Sequence, residues 1–216
     1  MAERRQRILA AARALVAERG YEALTMRELA QRSRVTVPTL YNLIGSKEAV
    51  LAAAVEEQTA RFLAAIERRE GTSPAARLLA VVEACARELL ALPAWYRTLL
   101  HLLYTAEAAE PVRARVDRAL GEELARALHA IAEAGELVDW ADERALLRSL
   151  RSQLGACALS WASGALSDAA FPGEATYQAS LTLLGVTKGR SRAQLERAAR
   201  AAQAGVPARR RRRASR

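Results

Sequence analysis

The chain has 216 residues, of which 51% are hydrophobic and 26% charged, enough for one sizeable core or two small ones and too apolar for wholesale disorder. Two cysteines, Cys85 and Cys157, exclude a disulfide-rich scaffold and a four-cysteine zinc site, and two histidines, His101 and His129, leave little for any transition-metal centre. The net charge of +9 is distributed as +4 over residues 1–50, −5 over 51–187 and +10 over 188–216, so basic ends suited to a polyanion flank an acidic middle with another task.

Every segment long enough to show a period shows the helical one. Ile8, Ala11, Ala12, Leu15 and Val16 form an apolar stripe that Gly20 terminates. Thr25 and Glu28 have capping-box spacing and open a short helix from Met26 to Arg32. Thr36 with Pro38 starts another, to about Leu43 or Ile44, and Gly45 breaks it. Ser46 caps a longer helix through Glu67, and the stretch from Gly71 to Pro74 reads as a linker that doubles as a cap.

Leu78, Val81, Val82, Cys85 and Leu89 keep helical spacing until Pro93, and the segment Ala94 to Glu107 is rich in aromatic and apolar residues. Pro111 opens a helix ending at Gly135, with Val112, Val116, Leu120, Leu124 and Leu128 every four residues. Asp142 to about Ser167 forms the next, Phe171, Pro172 and Gly173 make a break, and Glu174 to Val186 follows. Ser191 to Ala204 is weakly amphipathic, and Arg209 to Arg213 make a basic run near the end. No segment alternates as a strand does, so the expected fold is all-α.

Three regions are expected: a head of short helices over 1–50, a longer helical body over 51–188, and a weakly helical to disordered basic tail over 189–216. The basic N-terminus lacks the apolar stretch of a signal peptide. The longest uncharged run, Ser152 to Ser167, has 16 residues, short of the roughly 20 that a spanning helix needs. A cytoplasmic protein without metal or cofactor is expected.

The two short helices at 26–32 and 37–43 have helix-turn-helix proportions. Leu29, Ala30, Val35, Leu40 and Ile44 would form the inner face, which turns Val37, Thr39 and Asn42 outward. Methyl groups suit thymine methyls, and an amide such as Asn42 can bond adenine in the major groove. Tyr41 and Lys47 flank that helix as phosphate anchors, and the first turn after Ser46 offers free N–H groups to an anion.

Over about residues 8–51 the chain resembles the TetR family of bacterial transcription regulators. The likeness is carried by Ile8, Ala11, Ala12, Leu15 and Val16, by Gly20 and Tyr21, by Leu24 through Ala30, by Val35 through Tyr41, and by Ser46, Lys47 and Glu48. From Pro74 onward only the helical layout corresponds, and the resemblance implies a helix-turn-helix DNA-binding domain over 1–50 and a helical effector-binding and dimerisation domain over 51–188. The resemblance implies that Thr25, Arg27, Thr36, Val37, Thr39, Tyr41, Asn42 and Lys47 contact operator DNA. It departs from the family at three points. Arg34 stands where the turn usually holds glycine, Leu43 and Ile44 replace the usual aromatic or histidine pair, and the Arg209–Arg213 run is not a family feature.

Several features are open to two readings. Trp95, Tyr96, Leu99, His101, Tyr104 and Trp161 either line an effector pocket or pack as plain core. Cys85 and Cys157 are either small buried hydrophobes or thiol sensors. The arginine run is either a solvated end or a further hold on DNA. Ser152, Ala156, Ser160 and Gly164 make a small-residue stripe on an uncharged helix, open to close packing within the chain or between two chains. The resemblance implies that Asp142–Ser167 and Glu174–Val186 form a four-helix interface with a second copy.

The best reading is a homodimeric repressor of a palindromic double-stranded operator, released when a small apolar or aromatic effector changes the spacing of its two reading heads. A sequence-indifferent architectural DNA binder, with the arginine run and net charge behind it, is the alternative. An all-helical enzyme is a third, disfavoured by the lack of any phosphate loop, metal-spaced cluster or recognisable nucleophile with its base.

Overall fold

The computed structural model describes residues 2–67, 73–105 and 110–205. Among these the structure is helical, with one isolated bridge between Leu137 and Thr187 and no strand. The Arg209–Arg213 run lies outside the described residues.

Helix α1 (Ala2–Arg19) buries Ile8, Leu9, Ala12, Leu15 and Val16. Gly20 ends it with φ of +82° while its N–H bonds the Val16 carbonyl at 2.9 Å, the left-handed cap that a residue with a Cβ adopts only at a cost. Helix α2 (Met26–Arg32) is capped by Thr25, whose hydroxyl accepts from the Glu28 N–H at 3.2 Å. The capping box is only half made, because the Glu28 carboxylate pairs with Arg19 at 2.8 Å. Helix α3 (Val37–Leu43) has Thr36 as its cap and Pro38 in its first turn, where the missing N–H costs nothing. Helix α4 (Lys47–Glu67) runs from this head into the second body.

That second body is built around α5 (Pro74–Ala91), which packs on α4, α6 (Pro93–Thr105), α7 (Glu110–Glu133) and α9 (Phe171–Leu184). Helix α8 (Glu143–Ala162) lies against α6, α7 and α9, and α1 of the head rests on α4 and α6. Apolar side chains fill the seams. Leu78, Val81, Leu124, Ile131, Leu150, Trp161 and Leu183 are wholly enclosed, each worth about 1.5–3 kcal/mol for a side chain of this size.

Two boundaries differ from the sequence reading. Helix α8 stops at Ala162, and Gly164 takes φ of +80° directly after its cap. Phe171, Pro172 and Gly173 are not a break but the first turn of α9, since proline is compatible with a helix start. The other difference is α10 (Gly189–Gly205). It is a packed helix, with Ser191, Leu195 and Ala199 buried at four-residue spacing, laid chiefly against α9 and also α5. Glu136 fastens its start by accepting from the Arg190 and Ser191 N–H groups at 3.2 and 3.0 Å. The weak amphipathicity of residues 191–204 conceals this because alanines supply much of its inner face.

Candidate DNA-reading head and internal cavity

In the head, Leu29, Ala30 and Leu40 are buried and Val35 and Ile44 half-buried, which leaves the opposite face of α3 uncovered. Tyr41 and Asn42 are exposed, while Val37 and Thr39 are partly covered. The Thr39 hydroxyl lies 2.7 Å from that of Thr36, and the Thr39 N–H bonds Thr36 at 3.3 Å. Thr25 and Arg27 are exposed at the start of α2. Lys47 lies across the Tyr21 ring, its Nζ 4.4 Å from the ring centroid and donating to the Glu22 carbonyl at 3.2 Å. An ammonium has three donors, so the contact orients Lys47 without exhausting it.

The turn between α2 and α3 is drawn tight by backbone bonds. Ser33 N–H donates to Leu29 O at 2.9 Å and Val35 N–H to Ala30 O at 3.0 Å, while Arg7 Nε holds the Ser33 carbonyl at 2.9 Å. Between them Arg34 takes φ of +54°, the one non-glycine residue with positive φ among the described residues. A side-chain-bearing residue therefore occupies a left-handed position.

The second body holds a partly open cavity of about 170 Å³ among α4 to α9. Its apolar wall includes Val55, Phe62, Val82, Leu99, Leu103 and Leu120. Polar groups reach it from Gln58, Glu88, Tyr96, Tyr104, Asp117 and Arg151. Of the six aromatic-segment and Trp161 candidates, Tyr96, Leu99 and Tyr104 are on the wall; Trp95, His101 and Trp161 are not. His101 is exposed, and Trp95 is buried. Trp161 backs the wall, stacking on Phe171 at 5.2 Å between centroids and donating its Nε1–H to Asp168 at 2.7 Å. Arg97 completes this corner, 2.6 Å from Asp168 and 5.0 Å above the Trp161 ring.

The wall also carries polar and charged groups, although a small apolar or aromatic effector is expected from the sequence. Tyr96 donates its O–H to Glu88 at 2.7 Å, and burial together with that bond pushes the phenol pKa up. Asp117 pairs with Arg151 at 3.4 Å. Burial and the Asp117 charge also raise the pKa of Tyr104, and its hydroxyl lies where a Cβ on Gly155 would come within 2.8 Å. Glycine at that position gives the phenol its space. Cys85 is on the wall as well, and burial pushes its thiol up to about 12; Cys157 is raised to about 11. Both thiols are thus protonated near neutral pH and weakly reactive.

Ser152, Ala156, Ser160 and Gly164 are all exposed, whereas Leu150, Cys157 and Trp161 on the opposite side of α8 are buried. Leu181 on the adjoining α9 is 49% exposed. Among the described residues no group of three or more His, Cys, Asp or Glu side chains could hold a metal ion, and no helix is long and apolar enough to cross a membrane.

Comparison with known proteins accounts for this architecture. Residues 8–54 match the family of bacterial regulatory proteins called tetR. The chain is 36% identical over 87 residues to the HTH-type transcriptional repressor KstR of Rhodococcus jostii (strain RHA1), 40% of this chain and 41% of that one. It is 41% identical over 78 residues to KstR of Mycobacterium tuberculosis (strain ATCC 25618 / H37Rv), 35% and 36% of the two chains. The matches thus span about two-fifths of those relatives.

Similarity of fold extends further. SmeT, the repressor of the Stenotrophomonas maltophilia multidrug efflux pump SmeDEF, superposes with a TM-score of 0.73 at 24% identity over 87% of this chain and 92% of its own. A TetR transcription regulator from Haloarcula marismortui ATCC 43049 gives 0.76 at 20% identity over 87% and 100%. PfmR of Thermus thermophilus, a TetR family transcriptional regulator, gives 0.60 at 25% identity over 79% and 94%. SmeT is also known in complex with triclosan. The matched relatives are regulators rather than enzymes. Residues 8–54 thus carry the N-terminal domain of the tetR family of bacterial regulatory proteins, and most of the chain shares the fold of regulators that have this domain.

Proposed function

We propose that the chain is a homodimeric transcription regulator that represses from a near-palindromic operator and is released by a small, largely apolar effector. The observation that carries this reading is the pairing, in one chain, of an uncovered α3 face with a separate body that holds a cavity. Thr25, Arg27, Thr36, Tyr41 and Lys47 supply phosphate and sugar contacts, while Val37, Thr39 and Asn42 read base edges. Two heads related by a two-fold axis select half-sites about one helical turn apart. The exposed small-residue stripe on α8 and the exposed Leu181 of α9, the helix packed on it, support the second copy's seat.

The effector occupies the cavity against Tyr96, Leu99 and Tyr104. Because α1 rests on α4 and α6, and both helices form the cavity wall, occupancy that shifts them changes the spacing of the heads. A ligand with a few kcal/mol of preference for the shifted state suffices. The test is selection of bound sequences from random DNA by the full chain, then a screen for ligands that release the selected site. An enriched inverted repeat is the expected result; uniform, salt-driven binding without a motif would favour the architectural alternative.

A further inference from the structure

The cavity has a polar side that its apolar wall does not explain, and its centre is Glu88. This carboxylate belongs to α5, three residues beyond Cys85, and faces the chamber between Gln58 of α4 and Tyr96 of α6. The Tyr96 hydroxyl donates to its Oε1 at 2.7 Å. Gln58 is only 4% exposed, and its amide is satisfied at both ends when its nitrogen faces Glu88. In that orientation it donates to the same Oε1 at 3.0 Å and accepts from Arg13 Nη1 and Nε at 3.2 Å each. Both hydrogen bonds fall on one oxygen. Oε2 carries none among the described residues, and Glu88 takes part in no ion pair among them, whereas Asp117 is paired with Arg151.

Glu88 is half-buried beside a largely apolar chamber and has one oxygen that no protein donor uses, so that oxygen is open to a cation held in the chamber. The volume fits a molecule of about one substituted ring, since an engineered cavity of about 150 Å³ takes up benzene. We infer that the cavity is built for a small organic cation, its hydrocarbon body against Leu99, Leu103 and Phe62 and its ammonium on Oε2 of Glu88. This inference rests on the cavity being the effector site and names the chemistry of the effector.

The same carboxylate reaches the DNA-reading head. Arg13 lies on α1, is held by Glu57 at 2.8 Å, and meets Glu88 only through Gln58. An ammonium on Glu88 competes with Gln58 for the carboxylate charge. As the Gln58 amide loosens, Arg13 loses one of its two anchors and α1 is freed to shift on α4. Effector charge, rather than bulk alone, then drives release.

Three probes of similar size separate the possibilities: phenethylamine, n-propylbenzene and phenylacetate, titrated calorimetrically into the full chain. Phenethylamine should bind at least tenfold more tightly than n-propylbenzene, with phenylacetate weakest. Glu88→Gln should bring phenethylamine to within about threefold of n-propylbenzene while leaving n-propylbenzene unchanged. Tyr96→Phe keeps the carboxylate and removes a competing donor, so it should tighten phenethylamine severalfold; it serves as the decisive variant if Glu88→Gln fails to fold. No binding of any probe, phenylacetate binding as well as the amine, an unchanged amine preference in Glu88→Gln, or weaker amine binding in Tyr96→Phe would each overturn the inference. Glu88-dependent amine binding that leaves affinity for the selected operator unaltered would uphold the ligand class and overturn the regulatory reading and the link through Gln58.

Discussion

Replacing Ala156 by arginine separates the proposed dimer interface from the fold of the single chain. Ala156 is exposed on α8, opposite the buried Cys157 and Trp161 side, and arginine is nearly as good a helix former as alanine. Within one chain the substitution should therefore cost less than about 0.5 kcal/mol. In a two-fold interface the same change appears twice, once from each copy. A buried charge without a partner costs about 3–5 kcal/mol, so the pair costs roughly 6–10 kcal/mol and raises the dimer dissociation constant by about four to seven orders of magnitude. Ser160→Arg should act alike. Gly164→Arg is a poorer probe, because Gly164 has φ of +80° and a side chain there adds backbone strain. Sedimentation equilibrium should show monomers with wild-type helicity by circular dichroism and little operator affinity. A dimer of undiminished stability in both Ala156→Arg and Ser160→Arg would place the interface elsewhere and refute the reading of the stripe.

Asn42→Ala should relax preference at one base position per half-site by about 1–3 kcal/mol, and equal losses on all site variants would remove Asn42 from readout. Lys47→Ala should weaken every sequence alike and reduce the salt slope of binding by about 1, a slope measured by fluorescence anisotropy across salt concentrations. Arg34→Gly relieves a left-handed residue, a gain of about 1–2 kcal/mol, against roughly 0.5–1 kcal/mol for the freer unfolded chain; a small rise in melting temperature is expected, and a fall would mean that the Arg34 side chain holds the turn. Asp168→Ala leaves the buried indole N–H of Trp161 without its acceptor and should cost about 1–2 kcal/mol, read as a melting point lower by roughly 2–8 °C. The N–H groups of Ala145 and Arg144 hold the Asp142 pKa below its ordinary value. Its contribution is present above the unfolded carboxylate pKa and lost as the pH falls through the lowered folded value, so amide protection factors at the start of α8, taken relative to the intrinsic exchange rate at each pH, should fall on acidification.

Most helices are legible in the sequence because their signals are local and redundant. In α2 and α3 a hydroxyl cap, a period of apolar residues and a fixed turn length agree, and the observed bounds are those expected from Thr25, Thr36 and Gly45. The α8–α9 junction is misread because Pro172 and Gly173 speak for both a turn and a helix start, and only tertiary packing of Phe171 against Trp161 decides between them. Helix α10 escapes for the opposite reason. Its period is carried by exposed arginines rather than by large apolar anchors, and it is fastened at its start by Glu136, 54 residues away from Arg190. The Glu28 half of the capping box fails similarly, since Arg19, on the preceding helix and nine residues from Glu28, outcompetes the backbone N–H for the carboxylate.

The site divides along the same line. The exposed positions proposed to face DNA follow from knowing which side of a short helix is buried, and Leu40 alone nearly settles that for α3. The cavity's aromatic wall is only half legible, because a stripe such as Trp95, Leu99 and Leu103 states that a face is inside without saying whether it meets a helix or a void. Its polar wall is legible in principle, though a search for apolar stripes passes over it. Gln58 falls in phase with Val55 and Phe62, Glu88 with Cys85, and Arg13 with Leu9 and Val16. A polar residue in register with an apolar stripe is expensive to bury alone, so three of them on three helices imply that they meet. Periodicity can announce such residues one helix at a time. Only the packing of α1, α4, α5 and α6 brings Arg13, Gln58, Glu88 and Tyr96 into a single chain of hydrogen bonds from the cavity wall to α1, and the proposed preference for a cation rests on this convergence.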